Sequence, residues 1–176
     1  MSDPVTEQAK IRQASTSDAE RISLVADATF LETFAGQIDG DALVTHCAKA
    51  HAPEYLRELM KDGARAWLAE LDGAPIGYAL VTKPDLEIAQ SGDRELKKIY
   101  LLSRFHGTGI ARDLFNAALD GAYGFRRLLL GVKADNDRAI AFYTKQGFEK
   151  IGTRQFDVGG KLYDDVVLAR GLTPFS

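Results

Sequence analysis

The sequence predicts a single α/β domain, a mixed sheet with a central parallel β-α-β crossover and helices on both faces. Three observations carry this prediction. Residues 95–132 run from a strand through a helix with one apolar face into a continuous apolar stretch, the order of a right-handed parallel crossover. Residues 64–81 place two strand-like runs around Asp72-Gly73, a hairpin dipeptide. Residues 17–61 carry helical spacing and helix-start residues.

Each element follows from local chemistry. Residues 8–15 suit a first strand, and Ser17-Asp18-Ala19-Glu20 has the form of a capping box that starts a helix. Ile22, Val25, Ala26, Thr29 and Phe30 recur on one helical face, which ends near Gly36. A second helix is expected over Asp41–Lys49. A third begins at Pro53, whose missing N–H costs nothing in a first turn, and stops at Gly63. After the hairpin, residues 83–93 have no period and read as a solvent-exposed loop. A strand is expected over Glu95–Leu102, a helix over Gly107–Asp120 and a buried strand over Leu128–Val132. A helix from Asn136 stops at Gly147, and two strands, Phe148–Phe156 and Leu162–Arg170, flank a turn at residues 158–161.

Composition narrows the function. At 176 residues, 45% of them apolar, the chain suits one core and therefore one site. A formal charge of −3 without a dense Lys/Arg block argues against nucleic acid as a partner. Residues 1–7 have neither a basic nor an apolar signal region and no later run spans a bilayer, so no membrane partner and a cytoplasmic location are expected. Cys47 is the one cysteine, which excludes an internal disulfide and a cysteine-rich zinc site. Cys47 and His51 stand four apart, yet two ligands do not make a metal site, and none is expected.

The chemistry concentrates in residues 99–111, where a strand runs into a glycine-punctuated helix start. The first helical N–H groups lack intrahelical partners and lie at the positive end of the helix dipole, and Gly107 and Gly109 let an anion approach the backbone. Arg104 adds a cation. No Gly-Lys-Ser/Thr follows and the third glycine of the dinucleotide fingerprint is absent, which removes both of those phosphate motifs.

Arg104-Phe105-His106-Gly107-Thr108-Gly109 resembles the Gln/Arg-x-x-Gly-x-Gly/Ala signature of the GNAT superfamily of acyl-CoA-dependent N-acetyltransferases. A second block, Asn136 to Phe148, is similar to that family's Asn-x-x-Ala-x-x-Phe-Tyr-x-Lys-x-Gly-Phe segment. The resemblance covers one acetyltransferase domain of residues 8–170. Thr29 to Phe34 also looks like the first helix of the branch that acetylates polyamines and similar small amines.

The resemblance implies a GNAT-like fold with acetyl-CoA as cosubstrate and a primary amine, a small molecule or polyamine, as acceptor. It implies that the amides of residues 104–109 hold the CoA pyrophosphate and that the pantetheine arm pairs with the backbone of Ile99 and Leu101 between two splayed strands. The implied cofactor surface comprises Ile99, Tyr100, Leu101, Arg104, Phe105, His106, Gly107, Thr108, Gly109, Ile110 and Ala111, with Asn136, Ala139 and Phe142 from the second block. Asn136 is equally natural as a helix N-cap.

Transfer to an amine needs two proton movements, because an alkylammonium of pKa about 10 must lose a proton and the departing thiolate must gain one. Tyr143 occupies the position from which the family's tyrosine protonates the thiolate; its alternative is a core aromatic beside Phe142. Glu95, six residues before Leu101 and so on the same strand face by parity, resembles the family's base; its alternative is a solvated carboxylate. Phe30 and Phe34 are expected as apolar acceptor walls, and Glu32 as a contact for a cationic amine. A protein N-terminal or lysine acetyltransferase, a non-catalytic CoA-binding regulatory module, and a homodimer stay open at this point.

Overall fold

The computed structural model describes residues 8–158 and 160–172. The targeting-segment reading of residues 1–7, and Gly159 of the expected 158–161 turn, lie outside the described residues. Among these are seven strands and five α-helices. They run in the order β1 (Lys10–Gln13), α1 (Ala19–Phe34), α2 (Gly40–Ala50), α3 (Pro53–Lys61), β2 (Arg65–Leu71), β3 (Ala74–Thr82) and β4 (Asp93–Leu101). Then come α4 (Ile110–Ala122), β5 (Arg127–Lys133), α5 (Asp137–Lys145), β6 (Glu149–Val158) and β7 (Lys161–Gly171). The strands form one mixed sheet in the order β1-β2-β3-β4-β5-β7-β6, with β4 and β5 parallel. Among the described residues no helix is long and apolar enough to cross a membrane.

Helices cover both faces. Leu114, Phe115 and Ala118 of α4 pack with Ala79, Leu130 and Leu168 from three strands, and α5 leans on the same core. On the opposite face Ile22, Val25 and Ala26 of α1 and Leu56 of α3 pack against Leu68, Tyr78 and Leu80. The β2–β3 hairpin turns at Asp72-Gly73, both at positive φ, as a tight turn between twisted strands requires.

Two local expectations need correction. The cap before α1 forms two residues earlier than Ser17-x-x-Glu20: the Ser15 N–H donates to the Asp18 carboxylate at 2.9 Å, and Asp18 also takes a two-pronged pair from Arg12 at 2.8 and 3.0 Å. Arg12 beside it holds the Asp18 carboxyl down at about 2. Asp93, expected in an exposed loop, opens β4 and is buried. Its two oxygens accept from Arg127 of β5 at 3.0 and 2.8 Å, and one also accepts the Gln90 N–H at 2.8 Å. Burial opposes the charge, but these donors outweigh it and the carboxyl stays below its ordinary range.

Asp93 therefore ties β4 to β5 where the two strands meet. Asp93→Ala leaves the Arg127 guanidinium without its partner and is expected to cost about 3 kcal/mol in denaturant unfolding, near the lower end for breaking a buried pair because Arg127 keeps some solvent. A loss under about 1 kcal/mol, the worth of a surface pair, would show that the pair does not hold the strands together.

Candidate functional site

The site forms where β4 departs from β5. The parallel ladder has three residue pairs, Asp93 with Arg127, Arg94 with Leu128 and Glu95 with Leu129. Beyond Glu95 the strands splay. On its other side β4 stays paired with β3 to Leu101, and Leu102 N–H donates to Ile76 O at 2.9 Å. Antiparallel ladders alternate, so Leu102 and Tyr100 turn their backbone groups to β3, whereas Ile99 and Leu101 turn theirs into the gap. The His106 ring meets the Leu101 carbonyl at 2.9 Å; a carbonyl only accepts, so Nε2 carries the proton.

A bulge changes which side chains share a face. Leu80 pairs with Lys98 but Val81 with Leu96, so Lys97 is an extra residue on β4. As a result Leu96 and Ile99, three apart, both pack on the α4 face. Glu95 falls on the other face with Lys98 and Tyr100, not with Leu101, which corrects the parity argument. Nor is Glu95 a solvated strand-end carboxylate: it is 1% exposed, Oε1 accepts the Asp85 N–H at 2.9 Å, and Oε2 lies 3.5 Å from Arg154 of β6.

Two hollows meet here. A groove of about 520 Å³ on the α4 face is lined by Ile99, Leu101, His106, Ala111, Arg112 and Phe142 among others. A cavity of about 700 Å³ extends from the α1 to α3 side into the gap, reaching Phe34, His51, Tyr78, Lys98, Gly131 and Phe156 among others. Thr33, Ile99, Tyr100 and Tyr143 line both. Tyr143 of α5 packs against Phe142, Phe148 and Phe115 at ring-centroid distances of 5.3, 5.6 and 5.9 Å. Burial, reinforced by nearby Tyr100, pushes its phenol up to about 12, so the hydroxyl keeps its proton at neutral pH.

The glycine junction closes one end of the groove. Gly107 and Gly109 take φ of 81° and 88°, and Gly109 is the N-cap of α4. Asp113 N–H donates to Gly109 O at 3.1 Å, so the N–H groups before it, in the first turn, precede the helical ladder. Thr108 Oγ1 donates to Phe105 O at 2.6 Å and pins the turn. Phe105 and Ile110 are buried beneath it, while Arg104 is exposed over the Phe105 ring at 4.8 Å. Arg112, which the motif does not include, lines the groove as a second cation; its signal in the sequence is a basic residue three positions after Gly109.

Other expected residues fall in different places. Asn136 caps α5, its Oδ1 accepting the Ala139 N–H at 3.2 Å, and both residues line the cavity where it enters the gap. Phe34 lines the cavity, but Phe30 is 2% exposed and packs behind it against Phe34 and His46 at 4.5 and 4.6 Å. Glu32 lines the groove rather than the cavity, and its carboxylate accepts from Ser103 N–H and Oγ–H, both at 3.0 Å.

His46 and His51 of the cavity wall, with Asp27 and Cys47 beside them, carry no sequence motif. Asp27, Cys47 and His51 bring their donor atoms within 4.8 Å of one another. His51 Nδ1 faces Asp27 at 2.9 Å, the contact of an imidazole N–H with a carboxylate. Burial pushes the Cys47 thiol up to about 11, which keeps it un-ionised at neutral pH and unsuited to nucleophilic work. Burial, then Lys98 and His51, lowers His46 to about 4 from 6.5. The unfolded chain thus takes up this proton near 6.5 and the folded one only near 4, so folded-state stability should fall as pH drops through that window. Thermal melts from pH 7 to 4 test this, with His46→Phe expected to flatten the slope; an unchanged slope would assign the acid loss elsewhere.

Comparison with known proteins agrees with this architecture. The family model described as acetyltransferase (GNAT) family matches residues 33–148. An uncharacterized N-acetyltransferase of Mycobacterium tuberculosis is 35% identical over 158 residues, covering 88% of this chain and 98% of its own. The mycothiol acetyltransferase of Amycolatopsis mediterranei is 30% identical over 145 residues, covering 72% of this chain and 48% of the relative. Among solved structures, ribosomal-protein-alanine N-acetyltransferase from Brucella melitensis superposes with a TM-score of 0.71 at 27% identity, covering 93% of this chain and 99% of that one. The PaiA N-acetyltransferase from Thermoplasma acidophilum, in complex with coenzyme A, has the same fold, with a TM-score of 0.71 at 20% identity over 93% of this chain and 98% of its own. With a family model across most of its length and a relative that matches it almost end to end, the chain belongs to the GNAT acetyltransferase family.

Proposed function

We propose that residues 8–170 form one N-acetyltransferase domain that moves an acetyl group from acetyl-CoA to a primary amine of a small molecule. The observation that carries this reading is the meeting of groove and cavity at Tyr143, beside a strand whose backbone is open toward the gap. The coenzyme A complex of the PaiA relative supports the same cosubstrate.

In this reading the pyrophosphate lies on the N–H groups around Gly107 to Ala111, with Arg104 and Arg112 as flanking cations. The pantetheine arm pairs with Ile99 and Leu101 in the gap, beside Asn136, Ala139 and Phe142. The Leu101 N–H polarises the thioester carbonyl. The amine passes its proton toward Glu95 and its nitrogen bonds the carbonyl carbon. The C–S bond then breaks, Tyr143 gives its hydroxyl proton to the departing thiolate, and the extra proton on the acylated nitrogen passes back to the phenolate, leaving a neutral amide and CoA thiol.

A small acceptor is favoured because the cavity is walled by three helices and by β6. The Brucella relative's name supports a second reading, acetylation of a protein N-terminus. Release of CoA thiol, followed over a panel of small amines and N-terminal peptides, decides between them. Peptides turned over far better than every small amine would overturn the small-acceptor reading. The polyamine preference expected from residues 29–34 must accommodate a half-buried cation, Lys98, in the cavity wall.

A further inference from the structure

We infer that Lys98 is a specificity residue that recognises an anionic group on the acceptor, so that the substrate is an amine that also bears a carboxylate or phosphate. This inference rests on the acetyltransferase reading above and names the substrate class of that site.

Among the described residues Lys97, Lys98, Lys133 and Arg154 line the cavity, and Lys98 and Arg154 differ in their partners. Arg154 is claimed by acids: Nε lies 3.2 Å from Asp165 and Nη1 3.5 Å from Glu95. Lys98 has no carboxylate within 4.0 Å among the described residues. Its ammonium lies over two rings, 5.5 Å from the centroid of Phe156 and 6.0 Å from that of Tyr100. A half-buried ammonium set over aromatic rings keeps part of its desolvation cost, and an anion entering the cavity would relieve it.

The surroundings fit an anion at this end. Lys98 and His46 of α2 both pack on the Phe156 ring, at 5.5 and 6.5 Å from its centroid, which places the ammonium toward α2. Both imidazoles there are held toward the neutral form by burial and Cys47 keeps its proton, so the negative charge at this end is that of Asp27, which His51 engages at 2.9 Å, while Glu95 and Asp165 favour the Lys98 charge from the cavity wall. Among the described residues, His46 and His51 on the cavity wall each have a buried Nε2 without a hydrogen-bond partner. Tyr143 lies by the gap, where it lines both hollows with Tyr100. An acceptor whose anion meets Lys98 can extend its amine toward the thioester, whereas a diamine must set a second ammonium against Lys98.

The test measures kcat/KM with acetyl-CoA for matched sets: amino acids, their carboxamides, the decarboxylated amines, α,ω-diamines and O-phosphoethanolamine. In at least one set the carboxylate or phosphate amine should exceed its uncharged counterpart by roughly 10- to 100-fold, the worth of one charge-assisted hydrogen bond. The carboxylate and phosphate arms separate the two anion sources. Lys98→Met should collapse that ratio through KM, and Lys98→Arg should restore most of it. The inference is overturned if uncharged amines or diamines equal their anionic counterparts, if no anionic amine is acetylated, or if Lys98→Met lowers every acceptor by one common factor. Failure of the underlying reading looks different: calorimetry would show no acetyl-CoA binding to the parent protein.

Discussion

Tyr143→Phe is expected to slow acetyl transfer by roughly 10²–10⁴-fold while acetyl-CoA affinity stays at the parent value. The substitution removes one oxygen and keeps the ring that packs against Phe115, Phe142 and Phe148. Packing is therefore preserved and only the proton is lost. The phenol, pushed up to about 12, is fully protonated at neutral pH. Burial that disfavours the phenolate disfavours a neighbouring thiolate as well, which raises the thiolate's demand for a proton at the moment it departs. Single-turnover acetyl transfer by the folded variant at saturating substrates isolates this step. A rate within about threefold of the parent would end the general-acid assignment, since even a modest acid contributes far more.

Gly109→Val is expected to weaken acetyl-CoA binding by roughly tenfold or more, from a backbone cost of about 1–2 kcal/mol at a left-handed residue. A β-branched side chain resists φ of 88°, and its Cβ would stand 3.2 Å from Arg112 Nη2. Relief comes by rotating the peptide, which turns the first N–H groups of α4 away from a bound phosphate. Gly63→Val is the control: φ there is 103°, nothing lies within 4 Å of the added Cβ, and the residue is remote from the groove. It should cost stability without changing affinity. Calorimetry on both variants separates strain from site, and undiminished acetyl-CoA affinity in Gly109→Val would remove the phosphate assignment.

What was legible in the sequence is what short-range chemistry dictates. Asp72-Gly73 marked its hairpin and Gly107 to Gly109 their strand-to-helix junction because positive φ is a property of one or two residues. The Asn136 cap and the Gly147 stop marked α5 in the same way. The facing of Glu95 was not legible, because the bulge at Lys97 arises from how β4 pairs with β3 and leaves no mark in the alternation itself. Asp93 read as loop because its burial depends on Arg127, thirty-four positions away. The cavity wall escaped for a similar reason. His46, His51, Lys98 and Phe156 sit on three elements far apart in the chain, and only the packed sheet makes them neighbours. Arg112 is nearer to legible, since a cation in the first turn of α4 opposes the helix dipole and calls for an anion nearby.

The three-pair ladder between β4 and β5 joins the two halves of the sheet by a short seam. One half is β1 to β4, the other β5 to β7, and α4 lies across both like a splint, its Leu114 and Phe115 packed on strands of each. A seam fastened at one end is stiff against sliding there and compliant against opening at the other. The pantetheine arm, pairing along the open end, would act as a zip that carries load between the halves. Occupancy by acetyl-CoA would then stiffen the molecule as a whole, and release of CoA would let the halves breathe.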